Sequence, residues 1–176
     1  MRFHATAILS SLAAWLFSPT ALAFEEQWHV GGGIGAVSAS ESRLGLGPAV
    51  NLYGAYGLDD MFDVKLDFAA SSHAFEAAPG TTDRRSIYMG ALGISYKIDV
   101  IEWIPYFGVQ LGWLHTDLPE DLDMGTSGWL VGGMLGLDYA VSSSWGVGVV
   151  NQYHMPLEGG GLVGLFLRSE YRWDHP

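Results

Sequence analysis

Three histidines, an acidic cluster and a glycine run are the residues whose types and spacing invite a chemical reading. His73, His115 and His154 all fall toward the same end of the strands assigned below. A histidine bonded to a serine and steadied by a carboxylate can activate that serine against an acyl ester. His154, however, has Pro156 and not serine two residues on, and Ser169 with Glu170 lies far down the last strand. Asp117, Glu120, Asp121 and Asp123 could hold a divalent cation, but they lack the central Gly and closing Glu of a calcium loop. A solvated acidic loop is the expected reading. Gly31-Gly32-Gly33-Ile34-Gly35 superficially matches a nucleotide loop, yet nothing helical follows to receive a phosphate. Gly128, Gly132 and Gly136 would mark a helix dimer only on a helix. The chain has no cysteine, so thiolate chemistry and disulfides are absent. No catalytic, cofactor-binding or metal site is expected.

A second constellation is larger. Asp63, Lys65, Asp67, Lys97, Asp138, Arg168, Glu170 and Arg172 recur at alternate positions, four acids against four bases. His29, Asn51, Gln110, Gln152 and His154 share their phase. The intervening positions are apolar, as in Phe62, Val64, Leu66 and Phe68. Period-2 alternation is the signature of strands with two unlike faces. It predicts eight strands, at 26–37, 44–57, 62–72, 86–98, 104–116, 128–141, 145–155 and 162–173. Asn151 falls on the apolar side of the seventh, which suggests a bulge or a mistaken strand there. Tight turns near Leu58-Asp59-Asp60, Val100-Ile101-Glu102 and Ser142-Ser143-Ser144 alternate with longer connections, the longest at 73–85 and 117–127.

Residues 1–23 read as an export signal. Arg2 is the only charge before Glu25, Ala5 to Phe17 is apolar, and Ala21-Leu22-Ala23 supplies a small-x-small cleavage site. A retained anchor is the competing reading, but the apolar core is shorter than the ~20 residues a spanning helix needs. Removal leaves residues 24–176 as one domain, with 7 basic and 19 acidic residues and a net charge of −12. Such a balance excludes a nucleic-acid partner. The chain is 49% hydrophobic and 15% charged, with 24 glycines. No apolar run near 18 residues follows the signal, so a helix cannot carry this apolar content across a membrane. A closed barrel is the other way to pair every backbone polar group in hydrocarbon.

The direction of the apolar face decides between a soluble barrel and a membrane barrel. Aromatics settle it. Trp28, Tyr56, Phe62, Tyr96, Phe107, Tyr139, Trp145, Tyr171 and Trp173 gather at one end of the strands. Tyr88, Trp113, Trp129 and Tyr153 gather at the other. Rings sorted into two belts about 25 Å apart suit two membrane–water boundaries. The charged, glycine-rich face then lines a narrow lumen, where ions must pair. An Asp63–Lys97 pair is expected near the periplasmic mouth, where both flank one turn region.

The closing stretch, Leu-Phe-Leu-Arg-Ser-Glu-Tyr-Arg-Trp with Leu165, Leu167, Tyr171 and Trp173, resembles the last strand of outer-membrane β-barrel proteins. Those commonly end in Tyr-x-Phe; here Trp173 replaces Phe and Asp174-His175-Pro176 follow. With the strand count and the signal, the chain resembles the OmpA/OmpX-like superfamily. The resemblance implies an all-β, eight-stranded antiparallel up-and-down transmembrane barrel in the cell outer membrane. It implies outer-membrane lipid, lipopolysaccharide and the barrel-assembly machinery as partners, and a monomer. The leading functional expectation is a non-enzymatic, plugged envelope protein for surface-loop display, adhesion or envelope integrity. Alternatives are a narrow pore or OmpW-like lateral route for small hydrophobic molecules, marked by an apolar lumen, and a lipid A acyl hydrolase.

Overall fold

A computed structural model describes residues 26–78, 81–98, 102–118, 126–157 and 159–174. The expected signal at 1–23, the turn at Val100-Ile101 and the acidic residues Glu120, Asp121 and Asp123 lie outside them. Eight strands run β1 (Gln27–Ala39), β2 (Gly47–Gly57), β3 (Phe62–Ala78), β4 (Thr81–Lys97), β5 (Trp103–Thr116), β6 (Ser127–Ala140), β7 (Trp145–Pro156) and β8 (Leu162–Asp174). Each pairs antiparallel with its sequence neighbours, and β1 closes on β8. The sheet is therefore an all-β, up-and-down barrel with no free edge.

Side chains alternate strictly between its two sides. Ile34 and Val109 point outward and are 69% and 70% exposed, whereas the inward Arg172 is 2% exposed. The apolar face is the outer one. Two turns at the end that holds the chain termini are tied by side chains. Asp59 Oδ1 accepts from the backbone N–H of Met61 and Phe62, and Ser142 Oγ accepts from those of Ser144 and Trp145. Short polar side chains of this kind stabilise turns by standing in for backbone acceptors.

Three sequence expectations change. The long connection expected at 73–85 is mostly strand: β3 and β4 stay paired out to Ala78 and Thr81, with a register shift between Glu76 and Ala78. Their outward side chains there include Ser72, Glu76, Thr82, Arg84 and Ser86 beside the small Ala74, so hydrophobic contrast fades while pairing continues. The second strand starts at Gly47 and not at 44, because Leu44 turns in to bridge Phe75. Finally, β7 carries no register shift. Asn151 faces outward, and its Nδ2 donates to the Gly164 carbonyl at 3.3 Å, which gives an amide in an apolar setting a partner.

The charged lumen and the outward belts

The terminal half of the barrel is filled by ions. Asp63 on β3 and Lys97 on β4 meet at 2.7 Å, and Ser95 Oγ donates to the same carboxylate oxygen at 3.5 Å. Lys65 and Asp67, two residues apart on one strand face, lie 3.3 Å apart. Gln152 Nε2 donates to Asp67 Oδ2 at 3.1 Å. Arg168 holds Asp138 through two parallel bonds, from Nε to Oδ1 at 2.9 Å and from the terminal nitrogen to Oδ2. Glu170 accepts from Arg172 Nε at 2.7 Å, from the Tyr53 hydroxyl at 2.8 Å and from His29 Nδ1 at 3.1 Å. All eight charged residues singled out above are inside, none more than 6% exposed. Four carboxylates face four cations, which is the condition under which ions tolerate a dry interior.

Aromatic rings complete this layer. The Arg168 guanidinium lies 4.8 Å from the Tyr53 ring centroid and 4.4 Å from that of Tyr106. The Lys65 ammonium sits 4.0 Å over Tyr53. Ring faces attract cations most where water is excluded. Tyr106 escaped sequence reasoning. Its signal was its position, inward in phase between Ile104 and Gly108. The void among Tyr53, Lys65, Lys97, Tyr106 and Arg168 measures about 10 Å³, enough for one water at most.

The other half of the lumen corrects the expectation of a polar interior. Gln110 bonds His154, and beyond them Val37, Ile87, Leu114, Leu130, Val150 and Phe166 form a buried apolar cluster. Leu44 and Leu118 join the same cluster from the connecting segments. These side chains occupy the inward phase, where the sequence reading placed only polar residues and glycines.

The histidines fall into different settings. His115 is exposed, 3.9 Å from Asp117. His154 bonds Gln110 and not a serine. Ser169 faces outward, its Oγ donating to the Gly146 carbonyl. His73 is 0% exposed. Its Nδ1 bonds the Gly45 carbonyl at 2.9 Å and its Nε2 meets Ser71 Oγ at 2.8 Å. A carbonyl only accepts, so Nδ1 carries the proton and Nε2 accepts from the serine hydroxyl. This Ser–His contact was not foreseen. A backbone carbonyl stands where a catalytic triad has its carboxylate, and the pair is sealed inside, tying β3 to the segment before β2. A Cβ at Gly47 would approach the His73 ring to 2.7 Å, so a side chain there would displace the latch. Among the described residues no three ligating side chains cluster as a metal site.

On the outer side, rings touch from strand to strand at the end that holds the chain termini. Ring centroids are 4.9 Å apart for Trp28–Tyr56, 5.1 Å for Phe62–Tyr96, 5.4 Å for Tyr96–Phe107 and 5.1 Å for Trp145–Tyr171. Tyr171 stacks with Trp173 at 5.9 Å. Tyr139 pairs with Trp103 at 5.0 Å, a ring that fell just outside the expected fifth strand. At the opposite end Trp113 and Trp129 meet at 5.4 Å, flanked by Tyr88 on β4 and Tyr153 on β7.

Known proteins match this arrangement. No curated protein sequence matches the chain. Among solved structures, OprG of Pseudomonas aeruginosa superposes with a TM-score of 0.67 at 12% identity, covering 86% of this chain and 98% of its own. Neisserial surface protein A superposes with a TM-score of 0.64 at 17% identity, covering 83% and 97%. Ail, the attachment invasion locus protein of Yersinia pestis, gives 0.57 at 16%, covering 85% and 99%. At these identities the likeness is one of fold. The outer membrane protein beta-barrel domain family matches residues 7–160. With eight strands closed around an interior half ionic and half apolar, and with an apolar, ring-belted exterior, the chain belongs to the outer-membrane β-barrel domain family.

Proposed function

We propose that this protein is a plugged, non-enzymatic barrel that holds its outward segments rigidly at the cell surface, in display, adhesion or envelope integrity. The filled interior carries this reading. An ionic layer crossed by the Arg168–Asp138 fork lies below an apolar layer around Phe166, and the void between the ions admits one water at most. An eight-stranded barrel has room inside for little but side chains. Ail is by its name an attachment and invasion protein, which fits a surface role here. In this reading residues 1–23 are removed on export, the barrel-assembly machinery reads the closing strand, and outer-membrane lipid with lipopolysaccharide surrounds a monomer. Planar-bilayer recording of the refolded barrel tests it. No steady unit conductance is expected; large, steady unit openings would overturn it.

One observation favours a second reading, a route for small hydrophobic molecules: the outer half of the lumen is apolar. Against it, all eight seams of the wall are paired, including β1 with β8 from Gln27 to Ala39. Uptake of a hydrophobic dye into proteoliposomes, faster than into barrel-free vesicles, would favour the route over the plug.

A further inference from the structure

The lipid-facing surface carries a groove that neither the lumen nor the aromatic belts explain. Ala36 on β1, Pro48 on β2 and Ser72 on β3 lie at neighbouring register positions, and Ser86 on β4 is the partner of Ser72. With Leu165 on one flank and Tyr88 on the other they line a groove of about 870 Å³. That is within the size range of small-molecule sites. Its lining is aliphatic apart from the Tyr88 ring at one edge and the serine hydroxyls, and it opens outward, so its occupant comes from the bilayer.

Two further observations say what that occupant is. The first is a gap. Outward rings at the outer end stand on β4, β5, β6 and β7, as Tyr88, Trp113, Trp129 and Tyr153. The outer halves of β8, β1, β2 and β3 present none, and the groove spans that sector, reaching β4 only at its edge, where Ser86 and Tyr88 stand. The second is charge. Apart from Arg2, the chain has seven basic residues, and four are in the lumen. The remaining three, Arg43, Arg84 and Arg85, sit together at the outer end of β3, β4 and the segment leading into β2. Arg85 pairs with Asp83 at 2.7 Å and donates to the Asp117 carbonyl, and Arg43 lies 4.6 Å over the Phe75 ring. Arg84 is exposed and forms no ion pair among the described residues. It shares the outward phase of Ser86, about 7 Å farther out at ~3.4 Å per residue. Glu76, an acid on that face, pairs in register with Thr82 one step beyond.

We propose that this groove seats one acyl chain of a phosphorylated lipid of the outer leaflet. Arg84 takes the phosphate, and the Ser72 and Ser86 hydroxyls meet the oxygens between phosphate and chain. Aliphatic walls suit methylenes, the missing rings leave the boundary open at this sector, and a guanidinium binds phosphate through two parallel bonds. The proposal rests on the barrel standing in lipid. It fails separately from the plugged reading, whose readout is conductance.

Native mass spectrometry of the detergent-released barrel with diphosphorylated lipid A as probe tests it. One lipid A is expected to survive activation that strips phosphatidylethanolamine. Retention falls about tenfold in Arg84→Ala and with dephosphorylated lipid A, and is lost in Ala36→Phe, which fills the groove. Leu111→Phe, on β5 outside the groove, retains it. Heat-modifiable gel migration shows that each variant has folded. Retention unchanged in Ala36→Phe or in Arg84→Ala would overturn the proposal. So would a dimer of the wild-type barrel that Ala36→Phe disperses, since the groove would then seat a second copy.

Discussion

Arg168 on β8 reaches over Gly148 on β7 to hold Asp138 on β6. The three are register partners across neighbouring strands, and a Cβ at Gly148 would collide with the Asp138 carboxylate. Glycine between two ions lets the guanidinium fork bridge two strand spacings inside a lumen too narrow for hydrated charges.

Breaking this fork is expected to be costly. Asp138→Ala leaves a buried guanidinium without its main carboxylate, and about 3–5 kcal/mol of stability is lost. Gly148→Val blocks the same contact while keeping both ions. Urea unfolding in detergent checks both. Asp138→Ala with Arg168→Met, which removes both charges, recovers most of the loss, and a double variant as unstable as Asp138→Ala alone would contradict the pairing.

The apolar layer is a separate support. Phe166→Ala opens a cavity among Val37, Leu130 and Val150 and costs about 3–5 kcal/mol. No channel should follow, because the ionic layer beneath stays intact. Thermal unfolding followed by gel migration measures the first effect and bilayer recording the second.

The His73 latch predicts local loosening. His73→Ala removes the donor to Gly45 and leaves Ser71 with one partner fewer, at about 1–3 kcal/mol. Hydrogen exchange should quicken at the Gly45 and Glu76 amides, which bond Ala74 and Arg43 carbonyls, while the amides of β7 keep their protection.

Much of this was legible in the sequence, for a physical reason. Asp63, Lys65 and Asp67 alternate with Phe62, Val64 and Leu66, and such contrast marks both strand and face. The contrast fails where both phases are apolar. Ile87, Leu114, Leu130 and Phe166 look outward-facing by type and lie inside by phase, so the apolar plug went unread. It fails again where the outward phase turns mostly polar, at Ser72, Glu76, Thr82 and Arg84, while His73 and Phe75 share the inward one, and there the β3–β4 pair extends further than expected. The Ser71–His73 contact needed the register of β2 to bring the Gly45 carbonyl within reach. Arg84 stood out in neither type nor spacing; its place above the groove, together with its exposure and the lack of an ion pair among the described residues, distinguishes it from Arg43 and Arg85.

A charge on the lipid face should be costly by depth. Val109→Arg places a guanidinium near mid-strand on the outer side and is expected to cost about 2–4 kcal/mol. The same substitution at Val141, beyond the end of β6, should cost close to nothing. Unfolding in lipid bilayers gives both values.

The orientation of the two faces is tested most directly by single-cysteine spin labelling, since the chain has no cysteine of its own. Labels placed in turn from Tyr106 to Trp113 in bilayer-embedded protein are read for oxygen and for a water-soluble nickel chelate. Collisions with oxygen should peak at Phe107, Val109, Leu111 and Trp113, with the nickel chelate excluded there. Nickel access at those positions, equal to that of a turn label at Ser143, would show that water and not lipid covers the apolar side.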